Sequence, residues 1–269
     1  ATIIALIGTS GAIYTDMVTF IMSAVIILFV NSKEQNLAKK KFDKKEYFDD
    51  LINGFSYVRK DSVLKVFLVL AIFLNAILVP LNSLQAPLAG EVLGGGAEIL
   101  SILGISITVG MLLGSVTYPM VQRGVSDRVI WVVGGLGVTA FYSFLPICKP
   151  LYESKILMYI FTTILALILG YTVALVNSHL NVFMVKRISQ DFLARIAGIV
   201  TAISVASMPI ASFLLSVIVA YANTSAIFIA SGVLALLVTI CMLFSKTLAG
   251  NGDKSVSDNV DKLQSTEAV

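Results

Sequence analysis

The sequence predicts an all-α, polytopic membrane protein with about seven transmembrane helices, and three observations predict it. The chain is 57% hydrophobic and only 13% charged, with a mean hydropathy of +0.92, which excludes an ordinary soluble domain. Its charges are clustered, and the gaps between clusters approach or exceed the roughly 20 apolar residues a membrane helix needs. The longest gap, Ile196–Ser245, runs fifty residues without a charge. As one helix it would measure about 75 Å against a hydrocarbon core of about 30 Å, so it must turn back once. The polar patch Tyr221-Ala222-Asn223-Thr224-Ser225 is where it can.

The elements follow in order. Residues 1–8 read as the end of one spanning helix, and about 13–30 as the next, which reaches spanning length only with Asp16 inside it. With no initiator Met, basic n-region or cleavage site, the chain reads as a C-terminal fragment rather than one opening on a signal peptide. In the long polar segment 31–62, the basic run Lys39–Lys45 suits anionic lipid. Tyr47, Phe48, Leu51, Ile52, Phe55 and Val58 then repeat at helical spacing opposite Asp49, Asp50, Asn53 and Arg59, an amphipathic interfacial helix over 46–60. Six spans with tight loops follow, at about 64–86, 99–121, 129–147, 156–180, 196–219 and 226–245, giving a six-helix unit over 63–248. The tail 249–269 turns polar and aperiodic and is expected to be disordered.

Orientation follows from the basic residues. If 31–63 is cytoplasmic, all of the 19 Lys and Arg except Lys149 and Lys155 fall on the inner side. The net charge of +3 therefore reports topology and not affinity for nucleic acid. This arrangement sets the two cysteines, Cys148 and Cys241, at opposite faces, too far apart to bridge.

Polar residues inside spans are the candidate functional groups. Asp16 is the one acid within a likely span, and its cost in lipid, roughly 3 kcal/mol, argues that it faces protein or water. It reads either as a cation-linked acid or as an interface residue bonded to Thr15 or a neighbouring helix. Asn75, Asn82 and Gln85 form a stripe at near two-turn and one-turn spacing, suited to lining a cavity or bonding another helix. In 156–180 stand Tyr159, Thr163, Tyr171 and Asn177, aromatic rings beside amides that suit large, mostly apolar ligands or core packing. His179 near the inner end reads as a cap or interface residue that could titrate near neutral pH. Gly110 and Gly114, and Ser212 and Ser216, have the spacing of tight helix contacts, and Pro209 should kink its span. Enzymatic chemistry has little support: HExxH, the phosphate loop and CxxC are all missing, His179 is the only histidine, and no cofactor is expected. Gly94-Gly95-Gly96 lacks a following phosphate-loop Lys and reads as a turn.

Several of these segments carry a family likeness. Residues 47–61, Tyr-Phe-Asp-Asp-Leu-Ile-Asn-Gly-Phe-Ser-Tyr-Val-Arg-Lys-Asp, lead into a span ending near Pro80 and Pro87, then Leu-Gly-Gly-Gly-Ala and Gly104 to Gly114. Residues 182–198, Val-Phe-Met-Val-Lys-Arg-Ile-Ser-Gln-Asp-Phe-Leu-Ala-Arg-Ile-Ala-Gly, form a basic loop closed by Arg195. Tyr14-Thr15-Asp16, with Phe20 and Ser23, is a third match. Together they resemble the major facilitator superfamily, and within it the drug and macrolide exporters of the drug:proton antiporter type.

The resemblance implies that the seven spans are the last helix of the N-terminal half and the six-helix C-terminal bundle of a twelve-helix transporter. It implies proton-driven, alternating-access efflux of a small amphipathic substrate in the bacterial plasma membrane. The expected partners are the lipid bilayer, that substrate and the N-terminal half of the same protein. Arg123, Arg128 and Arg195 would serve the gating loops, although Gln122–Arg128 follows the family's basic motif only loosely. The rivals are a permease for another small solute, a seven-helix receptor, and the membrane part of an ATP-driven exporter.

Overall fold

The computed structural model describes residues 2–29, 62–188 and 190–244. The expected amphipathic helix 46–60, the basic run and the tail 249–269 lie outside the described residues. Contacts divide the chain into two units, Ala1–Phe48 and Asp49–Val269.

In the first unit, α1 runs unbroken from Thr2 to Phe29. The expected division between 8 and 13 does not occur, because Thr9, Ser10 and Gly11 continue the helix. The hydroxyls of α1 bond back along it: Thr15 Oγ1 donates to the Gly11 carbonyl at 2.9 Å and Ser23 Oγ to that of Thr19 at 2.9 Å. Hydroxyls satisfied in this way can sit in an apolar helix without a partner helix.

The second unit holds α2 (Ser62–Ser83), α3 (Ala97–Gly124), α4 (Asp127–Ile147), α5 (Lys155–Arg187), α6 (Gln190–Val219) and α7 (Thr224–Phe244). All six are long and apolar enough to cross a membrane, while Ile13–Phe29 of α1 is a shorter apolar stretch. The protein is all-helical among its described residues and has the make-up of a multi-pass membrane protein. Charges at helix ends do not stop these helices. α5 continues through Lys186 to Arg187 and α6 begins at Gln190, both beyond the uncharged stretches. α2 instead stops early at Ser83, and Leu84 leaves helical geometry with φ −116° and ψ 24°.

Glycine sets which helices meet. A Cβ on Gly110 of α3 would overlap the Leu167 carbonyl of α5 and lie 2.9 Å from Tyr171 N, and one on Gly114 would overlap the Tyr171 carbonyl. The contact is reciprocal, since a Cβ on Gly170 of α5 would overlap the Ile107 carbonyl of α3. The two backbones therefore touch, which gains dispersion in a medium with no hydrophobic drive between helices. On the far side of α5, Gly134 and Gly137 of α4 receive Val176 and Thr172. Gly135 of α4 receives Thr239 of α7, and Gly232 of α7 receives Ser143 of α4. One chain of seams, α3–α5–α4–α7, results. α2 packs on α6, where Ser207 Oγ donates to the Ile72 carbonyl at 3.2 Å. Ser212 and Ser216 are exposed on α6, so that pair makes no close helix contact among the described residues.

The bundle end carrying residues 84–96 is closed by a wide turn. Leu88–Val92 form one π-type turn that sends Leu88, Ala89, Val92 and Leu93 into the core beside Ile99, Phe141, Leu145 and Phe228. Gly94, at φ +67°, reverses the chain while Gly95 N donates to the Ala89 carbonyl at 2.9 Å, the geometry of a glycine-capped helix end. Glu91 ties this turn down: its carboxylate accepts from Thr224 Oγ1 at 2.5 Å, and its carbonyl from Lys149 Nζ at 3.0 Å. Asn223 Oδ1 caps α7 through Ala226 N at 2.8 Å. Between α4 and α5, Tyr152 donates to the Leu145 carbonyl at 2.6 Å, and burial pushes its phenol well above the ordinary range.

The seam gives a direct test. Gly170→Ala puts a methyl into the Ile107 backbone and should cost about 1–3 kcal/mol, the usual range for overpacking. Gly104→Ala meets nothing within 4 Å and should leave the melting temperature of the detergent-solubilised protein unchanged or slightly raised. Equal effects from the two substitutions would contradict the packing described.

Candidate functional site

The expected site residues fall into two polar helix sides, one end cluster and one isolated acid. On α2, Asn75 and Asn82 lie within about 20° of each other around the helix, at 100° per residue. Asn75 is half-buried and its amide donates to the Ala71 carbonyl at 2.8 Å, so one of its two N–H donors is spent within its own helix. Asn82 is exposed. Gln85 does not continue the stripe as expected. The helix breaks at Leu84, and Gln85 sits half-buried on the short turn Gln85–Pro87.

The flanks of α2 show where this side opens. Ile72, about 60° to one side of Asn75, meets Ser207 of α6. Phe67, about 80° to the other side, stacks on Phe183 of α5 with ring centroids 3.9 Å apart. The Asn75–Asn82 side therefore opens between α5 and α6.

On α5, Tyr159, Thr163 and Asn177 fall within about 40° of one another. Tyr159 and Thr163 are half-buried and Asn177 is exposed. Gly170, whose backbone meets α3, falls inside this same arc, and Ala174, which also meets α3, lies just beside it. To the other side runs Met184, clustered with Ile196 and Val200 of α6. This side therefore closes on α3 at Gly170 and borders α6 at Met184, so both polar sides border α6. Exposed Asn181 continues it, a residue the sequence reading missed although Asn177 and Asn181 stand one turn apart.

Tyr171 is a correction. It lies at least about 80° from Thr163 and Asn177 around α5, and its hydroxyl accepts from Thr117 Oγ1 of α3 at 3.2 Å. Its ring belongs to the α3–α5 seam.

At the opposite end of the bundle, the turn Val125–Ser126 joins α3 to α4. Arg123 is exposed in the last turn of α3, where a cation complements the helix dipole. Arg128, at the start of α4, and Arg195, near the start of α6, are half-buried. The same end holds a cluster that sequence reading placed only as a cap. His179 is 2% exposed, with Nδ1 3.3 Å from the Tyr118 hydroxyl of α3 and Nε2 3.9 Å from Asp127 Oδ1 of α4. Rings of Phe67 and Trp131 enclose it at 6.2 and 6.1 Å. His179 thus joins three helices at this end. Sequence separation of about sixty residues between Tyr118 and His179 hides the pair from any local pattern.

Asp16 is exposed in its own unit, where its carbonyl accepts from Thr19 Oγ1 at 2.7 Å. Thr15 bonds Gly11 and not Asp16. An apolar cavity of about 20 Å³ lies between α2, α4, α5 and α7, lined by Phe73, Ile77, Trp131, Val138, Val176 and Thr239 among others. It holds about one water at most. The polar sides of α2 and α5 do not open into it.

The two roles of the α5 residues can be separated. Tyr171→Phe removes one interhelical bond and should lower stability by about 0.6 kcal/mol, the average for such bonds, without changing ligand affinity. Asn177→Leu should do the reverse, leaving the melting temperature near the parent value and weakening ligand. Titration of ligand into purified full-length protein, with melting measured in parallel, checks both.

No curated protein and no solved structure matches the chain. The family model described as Major Facilitator Superfamily matches residues 1–212, which include α1 to α5 and most of α6. With six described helices long and apolar enough to cross a membrane, the chain belongs to the major facilitator superfamily of membrane transporters.

Proposed function

We propose that the chain is the C-terminal part of a proton-linked exporter of amphipathic drugs such as macrolides. The observation that carries this reading is the pair of polar sides, Asn75–Asn82 on α2 and Tyr159–Thr163–Asn177 on α5, both bordering α6. Amides, a hydroxyl and an aromatic ring spaced along otherwise apolar helices suit a large ligand with scattered polar groups. These polar sides then face a second six-helix unit that supplies the opposite wall of the path, and rocking of one unit on the other gives alternating access.

The basic residues orient the unit. The end with Arg123, Arg128, Lys186 and Arg195 faces the cytoplasm, and the end with Lys149 and Lys155 faces outside, in a bacterial plasma membrane. Arg123, Arg128 and Arg195 then stand at the cytoplasmic mouth. Asp16 on α1 is the acid we assign to proton coupling, because a carboxylate in an apolar helix changes its solvation most when access switches sides. A permease for another small solute has the same family support, and substrate selectivity separates the two.

The test is transport by the full-length protein in proteoliposomes with an imposed proton gradient. Macrolide flux should follow the gradient and stop with an uncoupler. Asn82→Leu should reduce it at least fivefold without loss of folded protein, and Asp16→Asn should leave only gradient-independent exchange. Flux of a small polar solute with no macrolide competition would overturn the exporter reading in favour of the permease.

A further inference from the structure

Pro80 lies inside α2, between Asn75 and Asn82. Proline lacks the N–H that would bond one turn back, and its ring pushes against that carbonyl, so the ladder opens there. In an unbroken helix the next rung pairs Leu81 N–H with the Ile77 carbonyl. Here both groups meet a side chain from α4. Tyr142 Oη donates to the Ile77 carbonyl at 2.7 Å and accepts from Leu81 N–H at 3.3 Å. One hydroxyl therefore bridges the two groups of that rung, acting as donor and acceptor together.

The tyrosine is held so that it can do this. Its side chain is fully buried, its ring stacks on Phe228 of α7 at 5.2 Å, and Phe141 meets it edge-on at 5.7 Å. Gly232 of α7 leaves the room: a Cβ there would lie 3.2 Å from Tyr142 Cβ. The hydroxyl is thus fixed to the α4–α7 seam, while the rung it closes belongs to α2.

We infer that Tyr142 is a positioning residue for the substrate path. By closing the ladder at Pro80, its hydroxyl fixes how Asn82 is turned relative to Asn75, across the helix step that separates them. The inference rests on the reading of Asn75 and Asn82 as substrate groups. The pin itself stands on the hydrogen bonds alone.

Four forms of the full-length protein test it: parent, Tyr142→Phe, Pro80→Ala and the double variant. Hydrogen–deuterium exchange over residues 77–84 reads the pin, and macrolide KM against maximal rate reads its consequence. Tyr142→Phe keeps the ring and should speed exchange in this segment and raise KM at least fivefold, with maximal rate per folded molecule within twofold of the parent. Pro80→Ala restores a residue whose N–H can rebuild the ladder, so Tyr142→Phe added to it should change neither readout. Unchanged exchange in Tyr142→Phe would overturn the pin. Faster exchange with unchanged KM, while Asn82→Leu still raises KM, would overturn the positioning role and leave the substrate path intact. An equal effect of Tyr142→Phe in both backgrounds would also overturn it. If Asn82→Leu proves neutral as well, the substrate-path reading falls and takes the positioning role with it.

Discussion

Backbone contact between α3 and α5 is the interaction from which the rest of the bundle follows. In hydrocarbon, burying a leucine against another leucine gains little over leaving it in lipid, so close approach must come from small residues. Gly110, Gly114 and Gly170 make that approach from both helices at once. With α3 fixed on one side of α5, Gly134 and Gly137 bring α4 to the other, and Gly135 and Gly232 lock α7 onto α4. α6 has no such seam. It leans on α2 through Ser207 and clusters with Leu64 and Met184 at one end, and its remaining surface is largely exposed. The helix held least tightly is the one that both polar sides border.

Much of this was legible in the chain. Charge gaps located every span of the second unit, because lipid excludes charge so strongly that clusters must mark the ends. Helix limits were less legible, since Lys186 and Arg187 are good helix formers and carry α5 beyond the apolar stretch. Gly110 and Gly114 announced a contact by their spacing, but their partner Gly170 stands alone in its helix and has no motif. On α5, Tyr159, Thr163 and Asn177 share a side as their spacing implies, while the direction of Tyr171 depends on where α3 lies. The cluster of Tyr118, Asp127 and His179, and the bond from Tyr142 to α2, join residues of different helices, and only the packing brings them together.

These features connect sequence to the work of a transporter. A proline in α2 removes a backbone donor at the level between two amides, and a buried tyrosine of a neighbouring helix bridges the adjacent Ile77 carbonyl and Leu81 N–H. Rigid seams on one side and a loosely held helix on the other give a unit that can rock as a body while its open side changes partners. The apolar cavity of about 20 Å³ between α2, α4, α5 and α7 is too small for any drug-sized ligand.

The central claim, that these sides face a water-accessible path and not lipid, is tested most directly by cysteine accessibility. Cys148 and Cys241 are first replaced by Ser in the full-length protein. Single cysteines are then placed at Asn82, Thr163, Asn177 and, on the exposed apolar side of α5, Ile164. A water-soluble methanethiosulfonate should label the first three in membranes, with protection by macrolide, and should leave Ile164 unlabelled. Labelling at Ile164 with none at Asn82, Thr163 and Asn177 would contradict the account.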